Sequence, residues 1–315
     1  MIKYIVLQLA DNSATYCNYA TGMTSLVMPL DVFKSAVDYS WKLNANIHLL
    51  LPDYDLGPEY NNYIYDPHCV RISNCGSVYE PNSDIIVLSS PEILESANLY
   101  DNKIYIVHVD SSDISKLRYI TEYVLSKVLR INIVIDNICN LSNDFFSEYK
   151  DCLLNLNNEL YASYLNGNSP QINIITDRIH LTSMNNCNAG VDNFCIAPNG
   201  LFYLCPAFYR YSCEPIGNLL SGLSIPNQYL LEYSNAPICK VCDSYHCRRC
   251  VYLNHFFTEE LNTPSHEQCV ISHIERSASI QLLRMLKNVD GNYHTLKDIP
   301  ELNYDDPIGV ILNKK

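Results

Sequence analysis

The sequence predicts an α/β fold in its first half and a cysteine-built module in its second half. Up to Thr182, short apolar runs rich in β-branched residues alternate with amphipathic stretches, and after it Cys, Pro and Tyr become frequent. Alternating strands and helices are typical of an α/β layer structure or an incomplete barrel. Short Cys-rich segments are typical of modules that bound metal holds in shape. We therefore predict a partial (β/α) barrel-like domain followed by a metal-binding domain.

Six short apolar runs are predicted to be strands. Each is nearly continuous and rich in Ile and Val, as strands buried on both faces of a parallel sheet are. The predicted strands are 2–9, Ile47–Leu51, Ile85–Leu88, Ile104–Val109, Ile131–Ile135 and Ile172–Ile175.

Three helices are predicted from apolar residues that recur on one face with a period of about 3.6 residues. The faces consist of Leu30, Phe33, Val37 and Trp41; of Leu117, Ile120, Val124 and Val128; and of Ile271, Ile274, Ala278, Leu282 and Met285. We expect the third helix to dock on the protein's own core. The predicted divisions are an α/β domain over 1–182, a cysteine-rich domain over 183–270, and a C-terminal helix and tail over 271–315.

Polar residues follow several predicted strands: Asp53, Ser89, Asp110 and Asp136. Asp and Ser are preferred at helix N-caps, so capping is the favoured role, with ligand binding at the strand ends as the alternative. The phosphate-binding and hydrolase signatures GxGxxG, HExxH and GxSxG are absent from the sequence.

Composition and charge restrict the partners. The chain has 315 residues, 48% hydrophobic and 17% charged, and a net charge of −13, which disfavours nucleic acid and suits a cationic partner. The opening run, Met1 to Ala10, is too short and too quickly polar for a signal peptide or a membrane span. We expect no membrane association and a cytoplasmic location, where thiols serve as metal ligands more often than as disulfides.

Eight of the fourteen cysteines are clustered, and their spacing predicts metal ligation. They are Cys187, Cys195, Cys205, Cys239, Cys242, Cys247, Cys250 and Cys269. The other six are scattered and are predicted to be small buried hydrophobes: Cys17, Cys69, Cys75, Cys139, Cys152 and Cys213.

The spacing of two CxxC pairs distinguishes iron–sulfur clusters from zinc. The pairs are Cys239 with Cys242 and Cys247 with Cys250. A CxxC pair places two thiolates on one metal site. Zinc ribbons separate their pairs by about twelve or more residues, whereas only four residues lie between Cys242 and Cys247. This close spacing favours two interleaved Cys₄ clusters of the [4Fe–4S] type, and structural zinc is the alternative. Nearby histidines, such as His246 and His273, are expected to support the ligands rather than to replace them.

This cysteine pattern resembles the SPASM domain, which carries auxiliary iron–sulfur clusters in radical SAM peptide-modifying enzymes. The resemblance covers Cys187 to Cys269 and includes the segment Gly200-Leu-Phe-Tyr-Leu-Cys205. It implies two ligand sets: Cys187, Cys195, Cys205 and Cys250 for cluster I, and Cys239, Cys242, Cys247 and Cys269 for cluster II. Arg248 and Arg249 would offset the negative charge of the clusters.

Radical SAM enzymes carry a CxxxCxxC loop after their first strand, whose three thiolates leave one iron open for S-adenosylmethionine. This chain has only Cys17 there. Reductive cleavage of S-adenosylmethionine is therefore not expected, and the catalytic residues stay unassigned.

The N-terminal half, with its Met28-Pro-Leu-Asp31 and Leu51-Pro-Asp-Tyr54 segments, resembles the CXXX repeat peptide maturases. That family resembles radical SAM/SPASM enzymes and is associated with small precursor peptides bearing cysteine at every fourth position. The resemblance implies maturation of a ribosomally made Cys-rich peptide. Two alternatives are a catalytically silent scaffold that partners an active modifying enzyme and a zinc-stapled peptide-binding protein.

Overall fold

One sheet, with eleven strands in the described part of the chain, organises the protein. The computed structural model describes residues 1–19, 25–123, 127–288 and 291–300. The strands are β1 (Tyr4–Gln8), β2 (Asn46–Leu50), β3 (Cys69–Asn74), β4 (Ile85–Leu88), β5 (Ile104–Asp110), β6 (Arg130–Asp136), β7 (Gln171–Ile172), β8 (Asn193–Ile196), β9 (Leu201–Tyr203), β10 (Gly217–Asn218) and β11 (Gly222–Leu223).

The strand order combines a parallel and an antiparallel part. It runs β11-β10-β9-β8-β1-β2-β3-β4-β5-β6-β7. The strands from β8 through β1 to β7 are parallel, and β8 to β11 pair antiparallel. Parallel strands that lie side by side in chain order are typical of a (β/α) barrel. Here β7 and β11 are the two edge strands of the sheet and do not pair with each other, so the arrangement is that of an incomplete barrel.

Among the residues that the structure describes, eight α-helices accompany the sheet: α1 (Leu30–Lys42), α2 (Pro58–Ile64), α3 (Arg118–Tyr123), α4 (Asn143–Leu165), α5 (Thr176–His180), α6 (Pro206–Arg210), α7 (Val251–Thr258) and α8 (His266–Lys287). The two longest helices, α4 and α8, begin at serine caps. The hydroxyls of Ser142 and Ser265 accept the main-chain N–H groups of Phe145 and Gln268, at 3.2 and 3.3 Å.

The core has two parts because strand residues alternate between the faces of the sheet. The larger part lies beneath the helices and includes Ile5, Leu7 and Leu49. Their neighbours Val6 and Leu50 belong to a smaller cluster on the opposite face. Cys195 belongs to this smaller cluster as well.

Most of the predicted elements are confirmed, with three corrections. Strand β3 was missed because polar residues interrupt its apolar pattern; Arg71, in its middle, pairs with Asp84 at 3.0 Å. The run predicted as a strand over Ile172–Ile175 is a strand only as far as Ile172, because α5 begins at Thr176. Trp41 was expected on the buried face of α1 but is 48% exposed.

The buried face of α1 is instead formed by Phe33, Ala36, Val37 and Ser40. The side chain of Ser40 is compatible with burial because its hydroxyl donates to the carbonyl of Ala36 at 2.8 Å. In the second predicted helix, Leu117 and Ile120 are buried. Val124 lies outside the described residues.

Helix α8 docks on the protein's own core, as predicted. Ile271, Ile274 and Leu282 are buried, and α8 packs along α4. The side-chain amide of Asn157 donates to the carbonyl of Ala278 at 2.9 Å across this contact.

The sheet continues across the expected division after residue 182. Strand β8, which lies in the cysteine-rich part, pairs in parallel with β1, with Val6 opposite Cys195. The two halves of the chain therefore share one sheet. Within the described residues, no helix has both the length and the apolar composition needed to cross a membrane.

Candidate metal centre and the adjoining cavity

All fourteen cysteines are free thiols, and seven of the eight clustered ones fall into two spatial groups. The first group contains Cys187, Cys205 and Cys250, and Cys17 joins it. Burial, followed by the charges of Cys205, Cys250 and Cys187, raises the pKa of the Cys17 thiol. Burial, followed by the charges of Cys250 and Cys187, likewise raises the pKa of Cys205. These four thiols are therefore neighbours.

The local structure explains how distant cysteines meet in the first group. Cys205 and Cys250 are the N-cap residues of α6 and α7, and the rings of Phe208 and Tyr252 join these helices at 6.0 Å between centroids. The main-chain N–H of Cys187 donates to the carbonyl of Arg248 at 3.0 Å.

Cys195 faces the opposite side of the sheet, although burial and then the charges of Cys17, Cys195 and Cys205 together raise the pKa of the nearby Tyr19. Cys195 is fully buried in the middle of β8, on the opposite face of the sheet from Phe194 and Ile196. Burial raises the pKa of its thiol, and no other cysteine contributes to that shift. Its neighbours in the smaller core cluster are apolar residues such as Val6 and Leu50.

The second group contains Cys239, Cys242, Cys247 and Cys269. Burial and then the charges of Cys247 and Cys242 raise the pKa of Cys239 to about 12. Burial and then the charges of Cys247, Cys239 and Cys242 raise the pKa of Cys269 to about 12. Cys269 lies in the first turn of α8, so that helix brings it to the tight cysteine run.

Main-chain N–H groups point at two of these sulfur atoms. Ser244 donates its N–H to Cys242 Sγ, and Arg249 donates its N–H to Cys247 Sγ, both at 3.4 Å. In each case the donor follows the cysteine by two residues. Such bonds stabilise a thiolate, and hydrogen bonds to sulfur tune iron–sulfur clusters.

Arg249 lies between the two groups and provides a test of whether metal fits here. Its side chain is buried, and its Nη2 donates to the carbonyl of Leu231. Its Nε and Nη1 have no hydrogen-bond partner within the described residues. The charges of Cys239, Cys247 and Cys187 oppose the lowering of the pKa of Arg249 that burial causes. Thiolates bound to metal would supply the negative charge that a buried guanidinium requires.

The two groups of four thiols therefore match a thiolate-bound metal centre in the type and in the number of their ligands. The sulfur atoms are neighbours but do not converge: among the described residues, no three His, Cys, Asp or Glu side chains form a group that could hold a metal ion.

Buried polar contacts fix α8 against the second group. Glu275 accepts from the hydroxyl of Tyr149 at 2.8 Å and pairs with His246 at 3.1 Å. Arg276 and Asp243 form a buried ion pair at 2.6 Å. These contacts hold the helix that carries Cys269 in register with the loop that carries Cys242 and Cys247.

A cavity of about 530 Å³ adjoins the first group, at the carboxyl ends of β4, β5 and β6. One wall is polar and follows the strands, and the other is aromatic and comes from the cysteine-rich half. The polar wall includes Ser89, Glu92, His108, Asp110, Asp113, Lys116 and Asp136; the aromatic wall includes Tyr211, Tyr252, Phe256 and Phe257. Phe256 and Tyr211 are 55% and 49% exposed.

His108 and Asp136 form the buried part of the polar wall. The imidazole of His108 pairs with Asp136 at 2.8 Å and contacts the carbonyl of Thr15, also at 2.8 Å. Burial lowers the pKa of His108, but the hydrogen bond and charge of Asp136 and the Thr15 carbonyl outweigh it, so the net pKa is raised. The expected capping role is therefore wrong for Asp136 and is confirmed for Asp110, which accepts the N–H of Ser112 at 2.8 Å.

The loop after β1 lines part of the cavity through Thr15 and Asn18, and it has a spacing that sequence analysis missed. Ala10, Ala14 and Cys17 stand at the intervals of a CxxxCxxC motif, with alanine at the first two positions. Both alanines are buried. Aligning the loop by its spacing rather than by its cysteines would have found this pattern.

The fold and the site define a class of protein before any particular relative is considered: a mixed α/β protein with a large, mainly parallel sheet and a thiol-rich second half. The sequence matches no family profile and no curated protein. Among solved structures, the chain is similar to anSMEcpe with bound AdoMet, at a TM-score of 0.59 and 15% identity, covering 91% of this chain and 100% of that one. This likeness concerns the fold alone.

A second similar structure is Streptococcus suis SuiB bound to the precursor peptide SuiA. Its TM-score is 0.47 and its identity 12%, with 85% of this chain and 76% of that one covered.

Proposed function

We propose that this chain is a maturation protein for a ribosomally made Cys-rich peptide, with two [4Fe–4S] clusters in a SPASM-like domain. The observation that carries the proposal is the pair of thiol groups on either side of the buried Arg249, within a radical SAM-like fold. A buried cation without a carboxylate partner fits thiolate-bound clusters better than free thiols, which are neutral at pH 7 when their pKa is raised.

Cluster II would be held by Cys239, Cys242, Cys247 and Cys269, and cluster I by Cys187, Cys205, Cys250 and a fourth thiolate. Such clusters, when bound, supply electron transfer or structural support. With four thiolates each, neither cluster would present an open iron to a substrate.

The precursor peptide would bind in the cavity beside cluster I. Its aromatic wall offers Phe256 and Tyr211, exposed rings of the kind that dominate peptide interfaces. Its polar wall carries the carboxylates of Glu92, Asp110, Asp113 and Asp136 against the single lysine Lys116. This excess of negative charge favours a cationic peptide, in agreement with the net charge of −13.

A second candidate is the catalytically silent scaffold that works beside an active modifying enzyme. The specific observation in its favour is alanine at residues 10 and 14, where a CxxxCxxC loop has thiolates. The two candidates share the clusters and the peptide site, and they differ in whether this chain alone modifies the peptide.

The first test is the iron, sulfide and zinc content of the anaerobically purified protein. About eight irons and eight sulfides per chain, with absorbance near 400 nm, are expected for two [4Fe–4S] clusters. Zinc without colour would instead support the zinc-stapled alternative and remove the redox role.

The second test is binding of a labelled peptide with cysteine at every fourth position, followed by fluorescence anisotropy. We expect Phe256→Ala to weaken binding about tenfold, since a ring at an interface centre contributes more than about 1 kcal/mol. The matched control is Trp41→Ala, which removes a ring of similar exposure from α1, away from the cavity. Equal affinities for the three proteins would place the peptide elsewhere.

A further inference from the structure

We propose that Cys17, and not Cys195, is the fourth thiolate ligand of the first metal centre, together with Cys187, Cys205 and Cys250. This inference rests on the proposed function only in that the cysteine-rich half binds metal. It changes one of the eight ligands that the spacing of the cysteines suggests.

The strand position of Cys195 argues against it as a ligand of this centre. A thiol in the middle of a strand can only face one side of the sheet. Cys195 faces the smaller core cluster, among Val6, Leu50 and Ile72, whereas Cys205 belongs to the larger cluster, with Cys187 and Cys250 packed against it. Reaching the other ligands would require β8 to turn over, which would break its pairing with β1.

Cys17, by contrast, packs against the same larger cluster as Cys187 and Cys250. It lies in the loop after β1, and after burial the charges of Cys205, Cys250 and Cys187 are the largest causes of the raised pKa of its thiol, in agreement with a place beside them. Replacing Cys195 by Cys17 thus leaves four thiols on one side of the sheet and restores a complete Cys₄ set.

Contacts from α6 hold the Cys17 loop beside Cys205. The hydroxyl of Tyr209 donates to Asp11 Oδ1 at 2.6 Å, and the guanidinium of Arg210 lies 3.8 Å from the same carboxylate. Because Cys205 is the residue immediately before α6, this short helix connects one ligand to the loop that carries the other.

The far side of the same loop is tied to the α/β half. The side-chain amide of Asn18, the residue after Cys17, donates to the carbonyl of Ile135 at 2.5 Å. The main-chain N–H of Ala14 donates to the carbonyl of Leu51 at 3.1 Å. Cys17 is therefore held on both sides, as a metal ligand requires.

The sequence of the loop gives an independent reason. Cys17 occupies the third position of the CxxxCxxC spacing, and Ala10 and Ala14 leave it without the two partners needed for a three-thiolate site. The thiol is thus available to the neighbouring centre. The metal would then join the loop after β1 to the cysteine-rich half through a coordinate bond.

The experiment compares Cys17→Ser with Cys195→Ser in a background that carries Cys242→Ser and Cys269→Ser to remove the second centre. The four proteins, including wild type, are purified anaerobically, and their iron, sulfide and zinc contents and EPR spectra after dithionite reduction are measured. The background protein is expected to hold about four irons. Cys195→Ser should keep them with an unchanged EPR spectrum, and Cys17→Ser should lose most of them or show a different spectrum.

Full iron content and an unchanged spectrum in Cys17→Ser would overturn the proposal, as would an equal loss in Cys195→Ser. A Cys17→His variant separates ligation from folding: a ligand role predicts retained iron with an altered EPR spectrum, and iron loss together with loss of the far-UV circular dichroism spectrum contradicts it. If wild type holds zinc instead of iron, the two-cluster function fails, and the zinc contents of the same variants decide the role of Cys17. A wild type without metal overturns both.

Discussion

Single residues determine the electrostatics of this protein, and Arg249 is the clearest case. It is buried, and its backbone adopts a φ of +45°, in the left-handed region. Its guanidinium faces thiols from both groups rather than a carboxylate. A side chain with these properties contributes to stability only when the groups around it are negatively charged.

We expect Arg249→Gln to lower the reduction potential of the bound clusters. A unit charge about 10 Å away, at an effective dielectric constant of about 20, contributes roughly 1.5 kcal/mol, or about 60 mV for a one-electron couple. Potentiometric EPR titration measures this shift. Arg284→Gln is the control, because Arg284 is an exposed arginine in the last turn of α8, at the opposite end of that helix from Cys269, and its charge is screened by solvent. Equal shifts in both variants would contradict a special role for the buried guanidinium.

The pair of His108 and Asp136 is expected to make stability depend on pH. Since the pKa of His108 is raised in the folded state, the pair stabilises fully below the unfolded pKa of about 6.5, and this contribution is lost as the pH rises through the folded pKa. Asp136→Asn should therefore reduce the unfolding free energy by about 1–3 kcal/mol near pH 6 and by less near pH 9.

Anaerobic urea unfolding at the two pH values measures the difference. Asp110→Asn is the control, because Asp110 ends the neighbouring strand β5 and its hydrogen bonds are to the non-titrating residues Ser112 and Asn137. A destabilisation by Asp136→Asn that does not change with pH would show that the imidazole of His108 is not charged in the folded protein.

At the scale of elements, short helices and strand ends bring the ligands together. Cys205 and Cys250 are cap residues of α6 and α7, and Cys269 sits in the first turn of α8. Helix N-termini are suitable positions for thiolate ligands, because the first main-chain N–H groups of a helix have no carbonyl acceptor within the helix and can donate to a nearby sulfur. The packing of α8 on α4 then determines where Cys269 lies.

Removing the hydroxyl that Tyr149 donates to Glu275 should loosen this packing. Tyr149→Phe is expected to cost about 1.5–3 kcal/mol, because it removes a buried hydrogen bond to a charged group. Anaerobic urea unfolding at neutral pH measures this cost. Tyr161→Phe on the same helix is the control, since the hydroxyl of this half-buried residue bonds no other described residue, and it should change stability by less than about 0.5 kcal/mol. Similar costs for the two variants would contradict the role of the Tyr149–Glu275 contact.

At the scale of the whole molecule, one sheet links the α/β half to the cysteine-rich half. Strand β8 pairs with β1, so the two halves are not independent. If Cys17 ligates the first centre, the metal adds a second connection between the loop after β1 and the helices α6 and α7. We expect the entire chain to unfold as one unit when metal is present.

Removing the metal should therefore destabilise the whole chain. Chelation is expected to lower the melting temperature by at least about 5 °C, which corresponds to more than about 2 kcal/mol for a chain of this size. The change should be visible in far-UV circular dichroism as well as in the cluster absorbance. A melting temperature that chelation leaves unchanged would mean that metal does not hold the two halves together.

The fold as a whole also predicts how the protein responds to S-adenosylmethionine. With alanine at residues 10 and 14, no three-thiolate site forms after β1. We expect the protein with S-adenosylmethionine and dithionite to yield no 5′-deoxyadenosine above the no-enzyme background, measured by liquid chromatography and mass spectrometry. Robust formation of 5′-deoxyadenosine would require an open-site cluster elsewhere and would contradict the ligand assignments.

The sequence by itself determined the α/β class, five of the six predicted strands within about one or two residues at each end, the docking of α8, and the presence of many thiols in one segment. These features are local: apolar period, cap residues and cysteine spacing lie within short windows of the chain. It did not find β3, whose ladder is stabilised by the Arg71–Asp84 pair between strands.

Only the tertiary structure decided which thiols are neighbours. Spacing makes Cys187, Cys195 and Cys205 equivalent candidates, but strand direction sends the side chain of Cys195 to the opposite face. Cys17, far away in sequence, reaches the first group because β1 and β8 are adjacent strands and α6 holds its loop. The physical reason is that the face on which a strand residue lies depends on register, and register is fixed by pairing between distant segments.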